Sequence, residues 1–317
     1  MKDLMNVNAD KSSNVDAKKK PTSAYRRLRR LFVRTPLRAP LVWLRHRDLT
    51  PADVFFAAYP KSGTTYVRFV LFEMLSGMPA GFRTTNNLMA GVGVHKHAMK
   101  LLPGGGRLLS THEHYRSEYK RMIYVVRDGR DVMLSEYAYL KALAFYDKDL
   151  DSFIKHFLFT KVSGYGPWHQ HVAGFLDSPV TKTDNFMIVR FEDVRTDPVS
   201  WFARMADFLG VKVEMDRIRT AVANNSIEAM REKENREPVK ASIRGRFVRD
   251  GKVRGWVSKL TPEQVSLFEK YAGDALVRLG YPLSADLQTK ETAPALINPV
   301  AEPMVALSAI AEPSGRR

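Results

Sequence analysis

The sequence contains no cysteine. That excludes disulfides and thiolate metal sites, and it fits a reducing compartment. No uninterrupted apolar run is long enough to span a bilayer. The first residues lack a compact apolar signal region with a cleavage site, so the expectation is a cytoplasmic protein. Acidic residues are scarce: 34 Asp and Glu face 50 Lys and Arg across 317 residues, a formal charge of +16. No Walker A loop, G-x-x-x-x-G-K-[ST], is present. No internal repeat is visible. No nucleic-acid-binding motif accompanies the positive charge, so no nucleic-acid partner is expected.

What is present fits one large domain with tails, at an ordinary 44% hydrophobic content. The positive charge is uneven. Residues 1–50 hold thirteen Lys and Arg against four Asp, a net of +9. Lys18-Lys19-Lys20 and Arg26-Arg27-Leu28-Arg29-Arg30 alternate with Leu31, Phe32, Val33, Leu41, Val42 and Trp43. Such interleaving over 18–47 suits peripheral contact with an anionic membrane; a solvated, solubilising tail is the alternative. Pro36 and Pro40 interrupt any long helix there. The organisation expected is a basic, partly disordered arm over 1–50, a domain over 51–283 and a Pro/Ala-rich tail over 284–317.

Inside the domain, short apolar runs without polar alternation alternate with helical patterns. Strands are expected at 53–58, 107–110, 122–126 and 186–191, and helices at 64–76, 129–144, 150–160, 164–177, 197–209, 215–224 and 262–279. Strands of this kind separated by helices imply a parallel α/β sheet. Ligands in such folds bind at the carboxyl ends of the strands.

Four segments stand just after strands or in a late loop. Tyr59-Pro60-Lys61-Ser62-Gly63-Thr64-Thr65 lies between the first strand and a helix. That order aims backbone N–H groups and a helix N-terminus at one spot, which suits a phosphate. Lys61 adds charge, Ser62, Thr64 and Thr65 add hydroxyl donors, and Gly63 permits close approach. Arg127-Asp128-Gly129-Arg130-Asp131 follows the third strand, with Ser135 eight residues after Arg127; an arginine fork and a serine two turns on can grip one phosphate. Ser110-Thr111-His112-Glu113-His114 puts an imidazole, a candidate general base, beyond the second strand. Arg249-Asp250-Gly251-Lys252-Val253-Arg254-Gly255-Trp256 is a basic, glycine-containing loop of the kind that closes over polyanions. Taken singly, each could be a surface turn.

Together, their order resembles the sulfotransferases that use 3′-phosphoadenosine 5′-phosphosulfate (PAPS). The Tyr-Pro-Lys-Ser-Gly-Thr-Thr loop stands intact at 59–65, Thr-His at 111–112, and the arginine–serine pair at Arg127 and Ser135. An aromatic-Glu-Asp segment is matched by Phe191-Glu192-Asp193, and the closing basic loop by Arg249-Asp250-Gly251 with Trp256. The resemblance spans about 52–280 and implies a three-layer fold, a sheet of four or five parallel strands flanked by helices and related to the P-loop nucleotide kinases. It implies that Lys61, Ser62, Gly63, Thr64 and Thr65 hold the 5′-phosphosulfate and that Arg127, Ser135, Arg249 and Gly251 hold the 3′-phosphate. Tyr66 and Ser226 fall at the adenine side, and Phe191 is implied as a further cofactor-binding residue. His112 is implied as the base for an acceptor hydroxyl, on a saccharide, lipid or small metabolite. Lys61 is implied to stabilise the leaving oxygen, with no metal required.

There are departures from the family pattern. Tyr66 stands for tryptophan, Phe191 for tyrosine, Ile227 for an aromatic, Asp250 for lysine and Ser110 for lysine. Asp250 is expected to point away from the 3′-phosphate, leaving Arg246 or Lys252 to compensate. The segment after Trp256 lacks the dimerisation motif of animal members, so the oligomeric state is open. Two other readings stand beside this one: a nucleotide-dependent kinase of related fold, and a membrane-surface adaptor acting through the basic arm.

Overall fold

The protein is described by a computed structural model covering residues 43–160, 162–237 and 243–289. Four strands form one parallel sheet: β1 (Val54–Ala58), β2 (Leu108–Thr111), β3 (Met122–Val126) and β4 (Phe186–Arg190), in the order β2-β1-β3-β4. Val54 pairs with Leu108, Phe55 with Met122, and Met122 with Phe186. All four strands therefore end at one edge. The helix after β1 packs on one face of the sheet and the helix after the neighbouring β3 on the other, making the crevice beyond their carboxyl ends the natural binding place.

The strands read as apolar runs because both faces are covered. Phe55, Ala57, Leu109 and Tyr124 face one core. Into it pack α3 (Gly129–Ala142), α4 (Leu150–Phe159), α5 (Trp168–Leu176) and α10 (Pro262–Arg278). Val54, Phe56, Ala58 and Ile123 face the other core. There they meet α1 (Thr64–Ser76), α7 (Pro198–Leu209) and α8 (Met215–Ala223), with α2 (Phe82–Leu88) and α9 (Ile227–Arg236) at its margin. The result is the three-layer α/β arrangement expected from the sequence.

Helix starts follow local chemistry. Thr261 and Gln264 form a reciprocal capping box ahead of α10, and Asp197 accepts the Ser200 N–H ahead of α7. Where boundaries differ from expectation, a cause is visible. The second strand starts at Leu108, because Arg107 is locked outside it on Asp53, Nε–Oδ1 at 2.9 Å and Nη2–Oδ2 at 2.6 Å. α5 starts at Trp168 rather than 164, because Gly164 and Gly166 adopt left-handed φ and Pro167 precedes the first turn. Phe191 does not end a strand. It opens the six-residue helix α6 (Phe191–Thr196), so the aromatic-Glu-Asp segment sits at a strand-to-helix corner.

The arm and the tail lie mostly outside the described residues. In the described part of the 18–47 segment, Arg45 is tied to Glu113 at 2.7 Å and to the Val92 carbonyl at 3.1 Å. The tail expected at 284–317 begins as a short helix, α11 (Ser284–Thr289), pinned where Ser284 Oγ donates to Glu269 at 2.7 Å. Among the described residues no helix is long and apolar enough to cross a membrane.

Candidate active site

The loop after β1 folds back on itself: the Ser62 N–H donates to the Tyr59 carbonyl at 3.3 Å. Lys61 and Gly63 take φ values of 71° and 86°. At Gly63 no other residue would fit, because a Cβ would lie 2.2 Å from the Phe191 ring. Ser62 is fully buried, and its hydroxyl has no hydrogen-bond partner among the described residues. Thr64 and Thr65 open α1, whose first turn carries no side-chain cap. Orphan donors, a helix start and a stripped backbone thus converge where Lys61 stands, and an anion is the ligand that satisfies them. Tyr59 anchors the loop's start, its hydroxyl donating to the Gly166 carbonyl at 2.8 Å and bonded to Ser163 at 2.7 Å.

The Lys61 ammonium lies over two rings, 4.0 Å from the centroid of Tyr139 and 4.5 Å from that of Phe247. On the next turn of α3, Glu136 is only 4% exposed. Burial pushes its carboxyl up to about 7, against the pull of the Lys61 charge.

His112 is partly buried just past β2. Its Nδ1 lies 2.7 Å from the Ala58 carbonyl. A carbonyl only accepts, so Nδ1 carries the proton and Nε2 keeps its lone pair. Burial holds the imidazole below its ordinary value; the Ala58 bond opposes this, and the Arg68 and Lys61 charges add to it. His112 is therefore neutral, with a fixed tautomer. Behind it, His171 Nε2 donates to the His112 carbonyl at 3.2 Å, and Nδ1 accepts from the Tyr124 hydroxyl at 3.0 Å. Burial pushes His171 down to about 3, so it too stays neutral. His114 is exposed and leans on the His171 ring, while His95 is buried and bonded to the Arg47 carbonyl.

A second anion-suited place lies beyond β3. A shallow cleft is lined by Arg127, Ser135, Arg249 and Gly251, together with Asp250, Lys252 and Lys259. Arg127 stacks on Phe191, Cζ 4.9 Å from the ring centroid, and donates to the Lys252 carbonyl at 2.8 Å. Phe191 thus underlies both Gly63 and Arg127, a positioning role. Asp250 is among the residues that line the cleft. Burial opposes its ionisation, but backbone bonds and the Lys259 and Arg249 charges prevail and hold its carboxyl below the usual range. Exposed Arg246 is not part of the lining. Ser226 caps α9, its Oγ accepting from the Ala229 N–H at 3.2 Å, which leaves its own proton free to donate. Tyr66 packs edge-on to Phe202 with Arg195 over its ring.

A buried network holds the late loop against β3 and α3. Asp128 Oδ2 accepts from Trp256 Nε1 at 3.0 Å and from Arg130 at 2.8 Å, while Asp131 Oδ1 accepts the Trp256 N–H at 2.9 Å. Glu192 accepts the Asp128 N–H at 3.0 Å and the Tyr281 hydroxyl at 2.7 Å. Sequence reasoning missed Glu136, His171, Tyr139, Phe247 and Lys259. Only Glu136 had a visible signal: it falls on the apolar stripe of α3, four residues after Val132 and three after Met133.

Comparison with known proteins decides the chemistry. A family model described as a sulfotransferase domain matches residues 51–280. The chain belongs to the sulfotransferase family. Rat (Rattus norvegicus) sulfotransferase 2A2 is 26% identical over 241 residues, which is 69% of this chain and 82% of that protein. Flavonol 3-sulfotransferase of Flaveria bidentis is 25% identical, covering 73% of this chain and 83% of its own. Among solved structures, mouse sulfotransferase SULT7A1 complexed with PAP superposes with a TM-score of 0.61 at 20% identity, covering 78% of this sulfotransferase and 93% of the mouse chain. Retinol dehydratase in a complex with retinol and PAP gives a TM-score of 0.58 at 20% identity, covering 74% and 83%. These two likenesses show the fold. The protein is thus an enzyme of sulfuryl transfer, and the kinase reading falls.

Proposed function

We propose that this sulfotransferase moves a sulfuryl group from PAPS to an acceptor hydroxyl, with His112 as the base. The observation that carries the reading is the His112 tautomer: a neutral imidazole whose Nδ1–H is spent on Ala58 leaves Nε2 as a proton acceptor. When bound, PAPS supplies the sulfuryl group: the acceptor oxygen–sulfur bond forms, the bond from sulfur to the bridging oxygen breaks, and its electrons leave on the 5′-phosphate of PAP.

The loop offers the buried Ser62 hydroxyl, the Thr64 and Thr65 hydroxyls and the start of α1 to the 5′ end. Lys61 leaves its two rings to stabilise negative charge on the leaving oxygen. Arg127, Ser135, Arg249 and Gly251 receive the 3′-phosphate in the cleft. Phe191 keeps both sites in register, and Tyr66 and Ser226 flank the adenine side. His112 Nε2 takes the acceptor proton. Positioning and electrostatics do most of the work, as in phosphoryl transfer.

The retinol bound to retinol dehydratase supports a small-molecule alcohol as acceptor class. The direct test combines two variants in a PAPS transfer assay. His112→Ala should keep PAP affinity and lose transfer; Lys61→Ala should lower kcat more than it raises acceptor KM. A pure KM effect for Lys61→Ala would sink its role at the leaving oxygen.

A further inference from the structure

Glu136 is a buried carboxyl that the transfer reaction does not use. It sits on α3 directly after Ser135, is 4% exposed, and its Oε2 has no hydrogen-bond partner among the described residues. The Lys61 ammonium lies 4.0 Å from the ring of Tyr139, three residues further along α3, and is the charge that acts on Glu136; the Tyr59 hydroxyl from the start of the same loop also feels the Glu136 charge. Other charges near α3 are engaged elsewhere. Asp128 and Glu269 of α10 hold Arg130, Asp131 receives Trp256 from the 255–258 turn and pairs with Arg127, and on α4 Asp151 bonds Gln264 while His156 bonds Tyr146.

A buried acid with an unsatisfied oxygen is costly unless it is neutral or has a cation beside it. Lys61 is that cation, yet the same ammonium is needed by the incoming anion. The two anionic groups therefore compete for one charge. We propose that Glu136 is a positioning residue for Lys61: it balances the ammonium while the loop holds no anion, and takes up a proton when the donor's 5′ end claims Lys61. Donor binding is then linked to proton uptake at one named side chain, and donor affinity declines as the medium becomes alkaline. This rests on the PAPS reading of the loop.

Titration calorimetry of PAP into the full chain, from about pH 6.5 to 8.5 in two buffers of different ionisation enthalpy, counts the protons taken up. Comparing wild type with Glu136→Gln cancels titration of PAP itself and of His112. The expected result is up to about one more proton taken up by wild type, with affinity falling relative to the variant by up to about tenfold per pH unit above neutrality. Lys61→Met provides a second route should Glu136→Gln not fold: without the ammonium Glu136 stays protonated throughout, and the extra uptake disappears. Equal proton counts in wild type and both variants would overturn the inference while leaving the PAPS reading intact. Failure of wild type to bind PAP would overturn both.

Discussion

Trp256 donates its indole N–H to Asp128 at 3.0 Å across 128 residues of sequence. That bond closes the late basic loop onto the turn after β3, so Arg249 and Arg127 line one cleft. Trp256→Phe keeps the ring and its stack on Arg130 but removes the donor. A lost buried bond of about 1–2 kcal/mol corresponds to a rise in donor KM of roughly 5- to 30-fold, with kcat little changed. Steady-state kinetics over PAPS concentration checks this; a fall in kcat alone would mean the loop acts on chemistry and not on donor affinity.

Gly63→Ala should be severe. The added methyl collides with Phe191, and φ of 86° is strained for alanine. PAP affinity is expected to fall on the order of a hundredfold, with a lower Tm. Adding Phe191→Ala removes the collision but not the strain, so it should restore part of the Tm and little of the affinity. Full recovery of both would show that Phe191 has no positioning role.

Asp250 lines the cleft proposed to receive the 3′-phosphate. Asp250→Asn should tighten PAP binding by roughly threefold at low salt, with the gain shrinking as the salt concentration rises. No change at low salt would show that Lys259 and Arg249 already cancel its charge.

His171 makes stability pH-dependent. Its folded value, about 3, lies below the ordinary 6.5, so between these limits the unfolded chain binds more protons. Stability is full above about pH 6.5 and is lost as pH falls towards 3. By pH ~4.5 the loss from this group reaches an upper bound near 3 kcal/mol. Urea unfolding of wild type and His171→Asn at neutral and mildly acid pH isolates it; the difference between the two should narrow on acidification. A constant difference would mean His171 is not the group responsible.

Much of this was legible in the sequence. Strands 54–58 and 122–126 are unbroken apolar runs because both faces are covered, and the capping signals at Thr261 and Asp197 place their helices. Helix α2, Phe-Arg-Thr-Thr-Asn-Asn-Leu, has no apolar period to read, and α9 offers only Ile227 and Met230 among charges. The anion-loop residues were readable because their chemistry is local. The supports were not: Phe191 beneath Gly63, His171 behind His112 and the Tyr139–Phe247 rings around Lys61 are brought together by tertiary packing. The charge of Lys259, which helps keep Asp250 ionised, lies nine residues away along the chain and was not read from the sequence.

In the proposed mechanism His112 takes the acceptor proton. Radiolabelled transfer from PAPS into fractionated cell extract, with the product identified by mass spectrometry, tests it when wild type and His112→Ala are run side by side with a PAP-binding control. The expected result is unchanged PAP affinity and transfer reduced by at least about a hundredfold; near-normal transfer by His112→Ala would contradict it.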